Sequence, residues 1–364
     1  MKGASGVRFF GNVTNTSGYG IATLNFAKAF SRSSIPTQFY ITGDKNLVSN
    51  FSKIPVKADI DFYLHVPPFS FHKSSNYRIA YFYWEADTLP KSWAKDIKGS
   101  VDELWVPCEL TRQAVLKSGF SGPIHTVFTP IEPGDISNIK IAMKSNSENI
   151  LSDDVFKFYS IFQWNERKGY TELISAYLKE FNSNDNVILI LKVNEIKYKS
   201  NGLSKIKSDI LDIKRRIDEK NAPDILLITE HLKDDDLAGL HQLCDCFVLP
   251  HHGEGWGMPI HEAMMHSNKI ITTKFGGITE YLDDDSAYII PHSLVNVPKL
   301  NWTNLYDEYQ KWAQPSVDSL MRLMRNCIGD ELKKGIAAKK IADKYSIDLL
   351  SNDIDKLLSV GRSK

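Results

Sequence analysis

Two carboxylates eight residues apart, Glu254 and Glu262, stand in the segment Pro250-His-His-Gly253-Glu254-Gly255-Trp256-Gly257-Met258-Pro259-Ile-His261-Glu262-Ala263. An ionised carboxylate is a pure hydrogen-bond acceptor, so one loop and the helix after it could address two hydroxyl-bearing groups of one ligand. The glycines let backbone amides approach that ligand closely, and Pro259 suits the first turn of a helix, where its missing N–H costs little. A second segment, Trp164-Asn-Glu-Arg167-Lys168-Gly169, places two adjacent cations after an apolar run and before a helical pattern. That position suits a diphosphate. A third, Gly11-Asn-Val-Thr-Asn-Thr-Ser-Gly18-Tyr-Gly20, also leads from a strand pattern into a helix start, where negative charge is favoured. Its spacing is neither the dinucleotide fingerprint nor the phosphate loop. Taken singly, the three have plain readings as well: a helix cap with an exposed glutamate, solvated surface charge, and a tight strand-to-helix turn.

These residues need elements to hold them. Short apolar runs at 7–10, 37–41, 61–66, 79–84, 104–106 and 125–128 alternate with helical patterns such as 21–30 and 111–117. A polar, Ser- and Asn-rich stretch at 138–154 interrupts the alternation and reads as a linker. The pattern then restarts, with strands expected at 156–162, 187–193, 225–228, 246–249, 270–273 and 287–290. Helices are expected at 170–180, 204–217, 235–243, 259–266 and 278–282, and the chain beyond Pro291 is expected to be helical, through 317–327, 331–345 and 347–358. Apolar runs without alternation suit strands buried on both faces of a parallel sheet. The expected fold class is therefore α/β, with two doubly wound Rossmann-like domains and a C-terminal helical tail. The expected boundaries are 1–145, 146–335 and 336–364.

Composition narrows the function. Of 364 residues, 42% are apolar and 24% charged, which is ordinary globular usage and argues against disorder or fibrous repeats. Forty-four basic residues balance 44 acidic ones, so the overall basic excess of a dedicated nucleic-acid binder is missing. Residues 1–145 hold 16 basic and 11 acidic side chains, a surplus of five that weakly favours an anionic partner for that half. Cys108, Cys244, Cys246 and Cys327 have no zinc spacing and read as core thiols in a reducing compartment. Neither a secretory leader nor an apolar run of ~20 residues is present, so a cytoplasmic protein, at most peripheral to a membrane, is expected. The run Asp283-Asp-Asp285 reads as a turn cap, and no metal is assigned.

The stretch from Glu254 to Ala263 resembles the signature of the family-4 retaining glycosyltransferases, E-x-G-(F/W)-G-(L/M)-P-x-x-E-A, which have the GT-B architecture. Flanking segments fit that resemblance. Asp234-Asp-Asp-Leu-Ala-Gly-Leu precedes Cys244-Asp-Cys-Phe-Val-Leu-Pro250, and Lys269-Ile-Ile-Thr-Thr-Lys-Phe-Gly276-Gly277-Ile-Thr-Glu280 follows. Arg167-Lys168-Gly169 is similar to the family's basic element, and Ser17-Gly-Tyr-Gly20 to its N-terminal glycine loop. The likeness is specific over residues 156–291 and loose over 1–135, as an acceptor-binding domain would be.

The resemblance implies a metal-independent enzyme that moves a sugar from a nucleotide-diphosphate donor, UDP- or GDP-linked, to a hydroxyl of a glycan or lipid-linked saccharide, with no further cofactor. It implies that Glu254 holds hydroxyls of the donor sugar and Glu262 the ribose. Lys168 and Arg167 would neutralise the diphosphate. The backbone of Gly255, Trp256, Gly257 and Met258 would face the phosphates or sugar, and Gly18 and Gly20 would cover the diphosphate from the first domain. Two departures stand out. Gln163 occupies the place of a common family arginine, for which Arg167 is the candidate substitute. No histidine follows the comparable first-domain strand, so Trp84, Glu85 and, after a neighbouring strand, His65 compete for the donor-sugar contact. Two alternatives stay open: glycosylation of a modified base in nucleic acid, and a non-catalytic sugar-nucleotide-binding protein.

Overall fold

The computed structural model describes residues 4–14, 17–51, 53–132, 152, 154–194, 202–217 and 221–362. Most of the expected linker lies outside the described residues. The chain forms two compact units. The first comprises Met1–Glu132, Leu305–Gln310 and Asp343–Lys364, and the second Pro133–Asn304 and Lys311–Ala342.

The first unit is built on six parallel strands: β1 (Val7–Val13), β2 (Thr37–Gly43), β3 (Ile60–Leu64), β4 (Tyr77–Tyr81), β5 (Glu103–Val106) and β6 (Ile124–Thr126). Their spatial order is β2-β1-β3-β4-β5-β6. On one face lie α1 (Gly18–Arg32) and the C-terminal α11 (Ile347–Ser359); a short α2 (Lys45–Val48) follows β2. Ile347, Leu350, Ile354 and Leu358 of α11 join Phe9, Phe26, Phe30 and Phe62 in one buried cluster. On the other face, Trp93 and Ile97 of α3 (Lys91–Ile97) and Ala114 and Val115 of α4 (Glu109–Lys117) pack with Tyr63, Phe82 and Leu104. Helices on both faces explain why β3 and β5 are buried along their whole length and carry no polar alternation that would mark a solvent face.

The second unit repeats the plan. Its strands are β7 (Phe156–Gln163), β8 (Val187–Asn194), β9 (Asp224–Ile228), β10 (Cys246–Leu249), β11 (Lys269–Thr273) and β12 (Tyr288–Ile290), in the order β12-β11-β10-β7-β8-β9 and all parallel. The helices are α5 (Tyr170–Glu180), α6 (Gly202–Ile217), α7 (Asp234–Leu243), α8 (Met258–Met265), α9 (Val317–Gly329) and α10 (Lys333–Ala342). The buried face of α5, including Leu173, Ile174 and Tyr177, and that of α9, with Leu320, Met324 and Cys327, are the apolar stripes an amphipathic helix turns inward. The four cysteines are free and buried. Asp283 accepts bonds from the Ser286 amide and hydroxyl, so it caps a turn.

Two expectations are corrected. Residues 278–282 do not form an α-helix; Gly277–Glu280 is a single 3-10 turn. After Pro291 the chain first forms two antiparallel strands, β13 (His292–Asn296) and β14 (Lys311–Pro315), before the helices begin. Their pairing is non-local and β13 is mostly exposed, so neither periodicity nor burial marks it in the sequence.

Because α11 closes a core it adjoins only through tertiary folding, Ile354→Ala should destabilise the protein by roughly 2–5 kcal/mol, read by chemical denaturation. A loss below about 1 kcal/mol would mean that α11 does not seal this core.

Candidate functional site

The strand order of the second unit reverses direction between β7 and β10: β8 and β9 lie to one side, β11 and β12 to the other. In open α/β sheets the crevice at the carboxyl ends of such a strand pair is where ligands bind. The basic segment follows β7 and the Glu254 loop follows β10, so the fold delivers both to this point.

Beyond β7, Trp164 is sandwiched between Phe162 and Tyr170, with ring centroids 5.8 and 4.2 Å away, and donates to Asp209 at 3.0 Å. This anchors a 3-10 turn over Glu166–Lys168, which ends at Gly169 with φ +69°. A Cβ on Gly169 would sit 1.9 Å from the Pro250 carbonyl oxygen, so the two loops approach at a distance only glycine permits. The His252 amide donates to the Arg167 carbonyl at 2.8 Å and joins them further. His252 itself is anchored from behind: its ring stacks on Trp312 at 4.5 Å and its Nδ1 lies 2.6 Å from the Ala313 carbonyl oxygen.

Beyond β10, Glu254 forms a parallel bridge with Gly276, and its carbonyl accepts from the Gly277 amide at 2.8 Å. The Gly276-Gly277 turn presses on this loop, since a Cβ on Gly276 would meet the Glu254 oxygen at 2.0 Å. Gly257, at φ +83°, caps α8, and the Tyr281 hydroxyl donates to the Trp256 carbonyl at 2.6 Å. The Trp256 ring is buried against Tyr281. Gly255 to Met258 thus form the entry to α8, where Pro259 has no amide hydrogen and the Ile260 amide donates to the Gly257 carbonyl at 2.9 Å.

The structure brings Glu254, Lys168 and Arg167 together. The Lys168 ammonium donates to Glu254 Oε1, and Arg167 Nη1 reaches the same oxygen at 3.3 Å and also the Gly253 carbonyl. All three side chains are largely buried, at 8%, 11% and 12% exposure. Burial alone would raise the Glu254 carboxyl, but Lys168 and Arg167 outweigh it and hold the group at about 2. His251, fully buried beside them, is pushed down to about 3 by burial and stays neutral. The cluster therefore holds two cations and one anion. Gln163 is exposed at the end of β7, while Arg167 occupies the acidic neighbourhood.

Glu262 lies one turn into α8 and has different neighbours. Its Oε2 is 4.0 Å from His241 of α7, and its side chain keeps 24% exposure. Burial, then the nearby Asp234, raises its carboxyl to about 7. His241 is driven down to about 3 by burial and by His266, so the contact is not an ion pair near neutral pH.

In the first unit, Gly18 and Gly20 follow β1, His65 follows β3, and Glu85 lies four residues past the end of β4. These three strands are adjacent, and the order of this sheet reverses between β1 and β3. Ser17 caps α1 by accepting from the Gly20 amide at 3.1 Å. Gly20 is needed for close packing on Thr14, whereas a Cβ on Gly18 would meet open space. His65 is half-buried and burial lowers its pKa. Glu85 accepts from the Tyr306 hydroxyl at 3.2 Å. Trp84 is buried, stacked on Tyr306, and does not present its ring to a ligand. Sequence reasoning did not single out His251, His252, Tyr281 or Tyr306 for the site. The paired histidines ahead of the Glu254 loop were the one visible hint.

The fold is of GT-B architecture, two Rossmann-like domains each built on a six-stranded parallel sheet. Residues 144–312 match the family described as Glycosyl transferases group 1. The serotype-specific mannosyltransferase WbdA of Escherichia coli is 27% identical over 152 residues, 36% of this chain and 18% of that protein. A second match to a protein of that name is 32% identical over 83 residues, 23% of this chain and 10% of that protein. The alignments thus span less than a fifth of the curated relatives' length. Among solved structures, Anabaena HepE in complex with UDP and glucose aligns with a TM-score of 0.66 at 12% identity, over 97% of this chain and 99% of that one. Trehalose-6-phosphate synthase OtsA gives 0.67 at 11%, over 99% and 100%. A glycosyltransferase from Rickettsia africae gives 0.67 at 12%, over 97% and 98%. These structural likenesses establish the fold. Among the described residues, no helix is long and apolar enough to cross a membrane.

The depressed Glu254 carboxyl makes a signed prediction. A group held at about 2 against an ordinary 4.5 stabilises the folded state fully above pH 4.5 and loses that contribution as pH falls toward 2. Glu254→Gln should therefore cost on the order of 3 kcal/mol at pH 6–7, with the gap from wild type closing as the acid limit is approached. Denaturant titrations of both proteins across pH check this; a pH-independent gap would contradict the ion cluster.

Proposed function

We propose that the protein is a retaining, metal-independent glycosyltransferase that moves a sugar from a UDP- or GDP-linked donor to a hydroxyl of a saccharide or lipid-linked saccharide. The observation that carries this reading is the buried Lys168–Glu254–Arg167 cluster at the reversal point of the second sheet. A nucleoside diphosphate leaves with negative charge, and fixed cations and aimed amides in a water-poor site stabilise that charge without reorganisation. Lys168, Arg167 and the backbone of the loop from Gly255 to Met258 fill this role. Glu254, ionised at any working pH, accepts from hydroxyls of the donor sugar. Glu262 takes the ribose diol. Gly18, Gly20, His65 and Glu85 belong to the first unit's contribution.

In the transfer step the acceptor hydroxyl oxygen bonds to the anomeric carbon on the face the diphosphate leaves. The bond from that carbon to the phosphate oxygen breaks, and the hydroxyl proton passes to the departing phosphate. The products are the glycosylated acceptor and the nucleoside diphosphate, with anomeric configuration retained. No protein carboxylate serves as nucleophile, unlike the paired carboxylates of retaining glycosidases. The mannosyltransferase name of the WbdA relatives favours a hexosyl donor and a saccharide acceptor. The saccharide reading is preferred over nucleic acid because lysines and arginines are balanced by acids over the whole chain.

A thermal-shift panel of sugar nucleotides should identify one that stabilises the protein by about 2.7 kcal/mol at 100 times its Kd. With that donor, Lys168→Ala and Glu254→Gln should each remove most release of UDP or GDP, by about 100-fold or more, while far-UV spectra stay native. A panel in which no donor stabilises the protein or releases nucleotide would overturn the assignment, as would full activity in either variant.

A further inference from the structure

The segment Leu305–Gln310 lies between β13 and β14 of the second unit in sequence, yet it belongs to the first unit. It docks on the loop that follows β4. Gln310, fully buried, donates to the Thr88 carbonyl at 2.9 Å, and the Tyr309 hydroxyl donates to the Leu89 carbonyl at 3.0 Å. Trp84 Nε1 donates to the same Thr88 oxygen at 2.7 Å, and the Thr111 hydroxyl donates to the Trp84 carbonyl at 3.2 Å. These bonds all end on main-chain carbonyls and fix the course of the loop. Tyr306 does something different. Its ring stacks on Trp84 at 5.0 Å and 24°, and its hydroxyl donates to a side chain, Glu85 Oε2, at 3.2 Å.

We propose that Tyr306 is a positioning residue: it aims the Glu85 carboxylate so that Glu85 can accept from a hydroxyl of the bound acceptor or donor sugar. This rests on the glycosyltransferase reading and deepens it for the first unit's own residues. A carboxylate has two oxygens and about four lone-pair directions. A phenol held by its own ring stack fixes the plane of the group, and so fixes the directions along which a ligand hydroxyl can approach. A glutamate held less firmly would lose side-chain rotamer entropy on binding, and the strap removes that cost in advance. The arrangement also explains why Tyr306, Tyr309 and Gln310 all spend their side chains on the one loop after β4. Tyr309 and Gln310 hold the backbone from which Glu85 projects, and Tyr306 holds Glu85 itself.

The test is a kinetic double-mutant cycle on the full chain, with nucleotide release as the readout and the donor found by the panel above. Tyr306→Phe keeps the ring stack and removes only the hydroxyl, so the melting temperature should hold. Its kcat should fall about tenfold, the scale of a lost hydrogen bond to a charged group, while the donor KM stays near wild type. Glu85→Ala, which removes the acceptor that Tyr306 holds, should fall at least as far. In the double variant the Tyr306→Phe change should add nothing, because its effect runs through Glu85. Unchanged kcat in Tyr306→Phe, or losses that multiply in the double variant, would overturn the proposal while leaving an active wild type and the glycosyltransferase reading intact. A wild type that releases nucleotide from no donor overturns both.

Discussion

Everything in the second unit's site depends on keeping three charges in a place with little water. Removing an ion from water costs several kcal/mol, and a single pair recovers that only with good geometry and further hydrogen bonds. Here one carboxylate is shared by two cations, and Arg167 also bonds the Gly253 carbonyl. The two loops that carry the charges are tied by a backbone bond and by a contact at Gly169 too close for any side chain. With His251 neutral, the cluster has a surplus of one positive charge. A positive charge at the carboxyl ends of these strands is the sign that the proposed diphosphate requires.

Topology explains why these loops are the candidates for the chemistry. When a parallel sheet is wound outward in both directions from its first strand, the loops leaving the two central strands diverge and open a crevice. In the second sheet those strands are β7 and β10, which deliver the basic turn and the Glu254 loop; in the first they are β1 and β3, which deliver the Gly18–Gly20 turn and His65. Glycine is required where neighbouring backbones converge. Gly276 and Gly169 each face a carbonyl within about 2 Å of a would-be Cβ, and each adopts positive φ. By contrast Gly18 faces open space, so its glycine is not demanded by packing.

The sheets were legible because strands buried on both faces leave unbroken apolar runs. Each strand of the two parallel sheets overlaps a run expected from the sequence, with ends displaced by a few residues where polar residues still pair, as at Lys269 or Asn194, and the edge strands β2, β6 and β9 are less buried than the central ones. The motif around Glu254 was legible because its glycines, proline and acids lie within one short segment. What escaped the sequence depends on contacts between distant segments. The β13–β14 pair has no periodicity of its own, and the bond from Tyr306 to Glu85 spans 221 positions. The candidate role of Trp84 is answered only by its burial under Tyr306, a fact no local pattern contains.

The two glutamates of the motif, which look alike in sequence, are driven to opposite states by their surroundings. Glu254 is held at about 2 by the cations it touches, while Glu262, with Asp234 and a neutral histidine for company, is raised to about 7. Paired titratable groups whose environments push them apart are suited to different tasks. Glu254, ionised and paired with two cations, is the one proposed to accept from sugar hydroxyls. Glu262 is the acid of the pair that takes up a proton first as pH falls, and in that form it donates as well as accepts. A vicinal diol such as a ribose offers both donors and acceptors, and a carboxyl of this kind matches it better than a fixed anion would. The difference between the two acids therefore follows from what surrounds each one, and the spacing of eight residues only ensures that both belong to the same loop-helix unit.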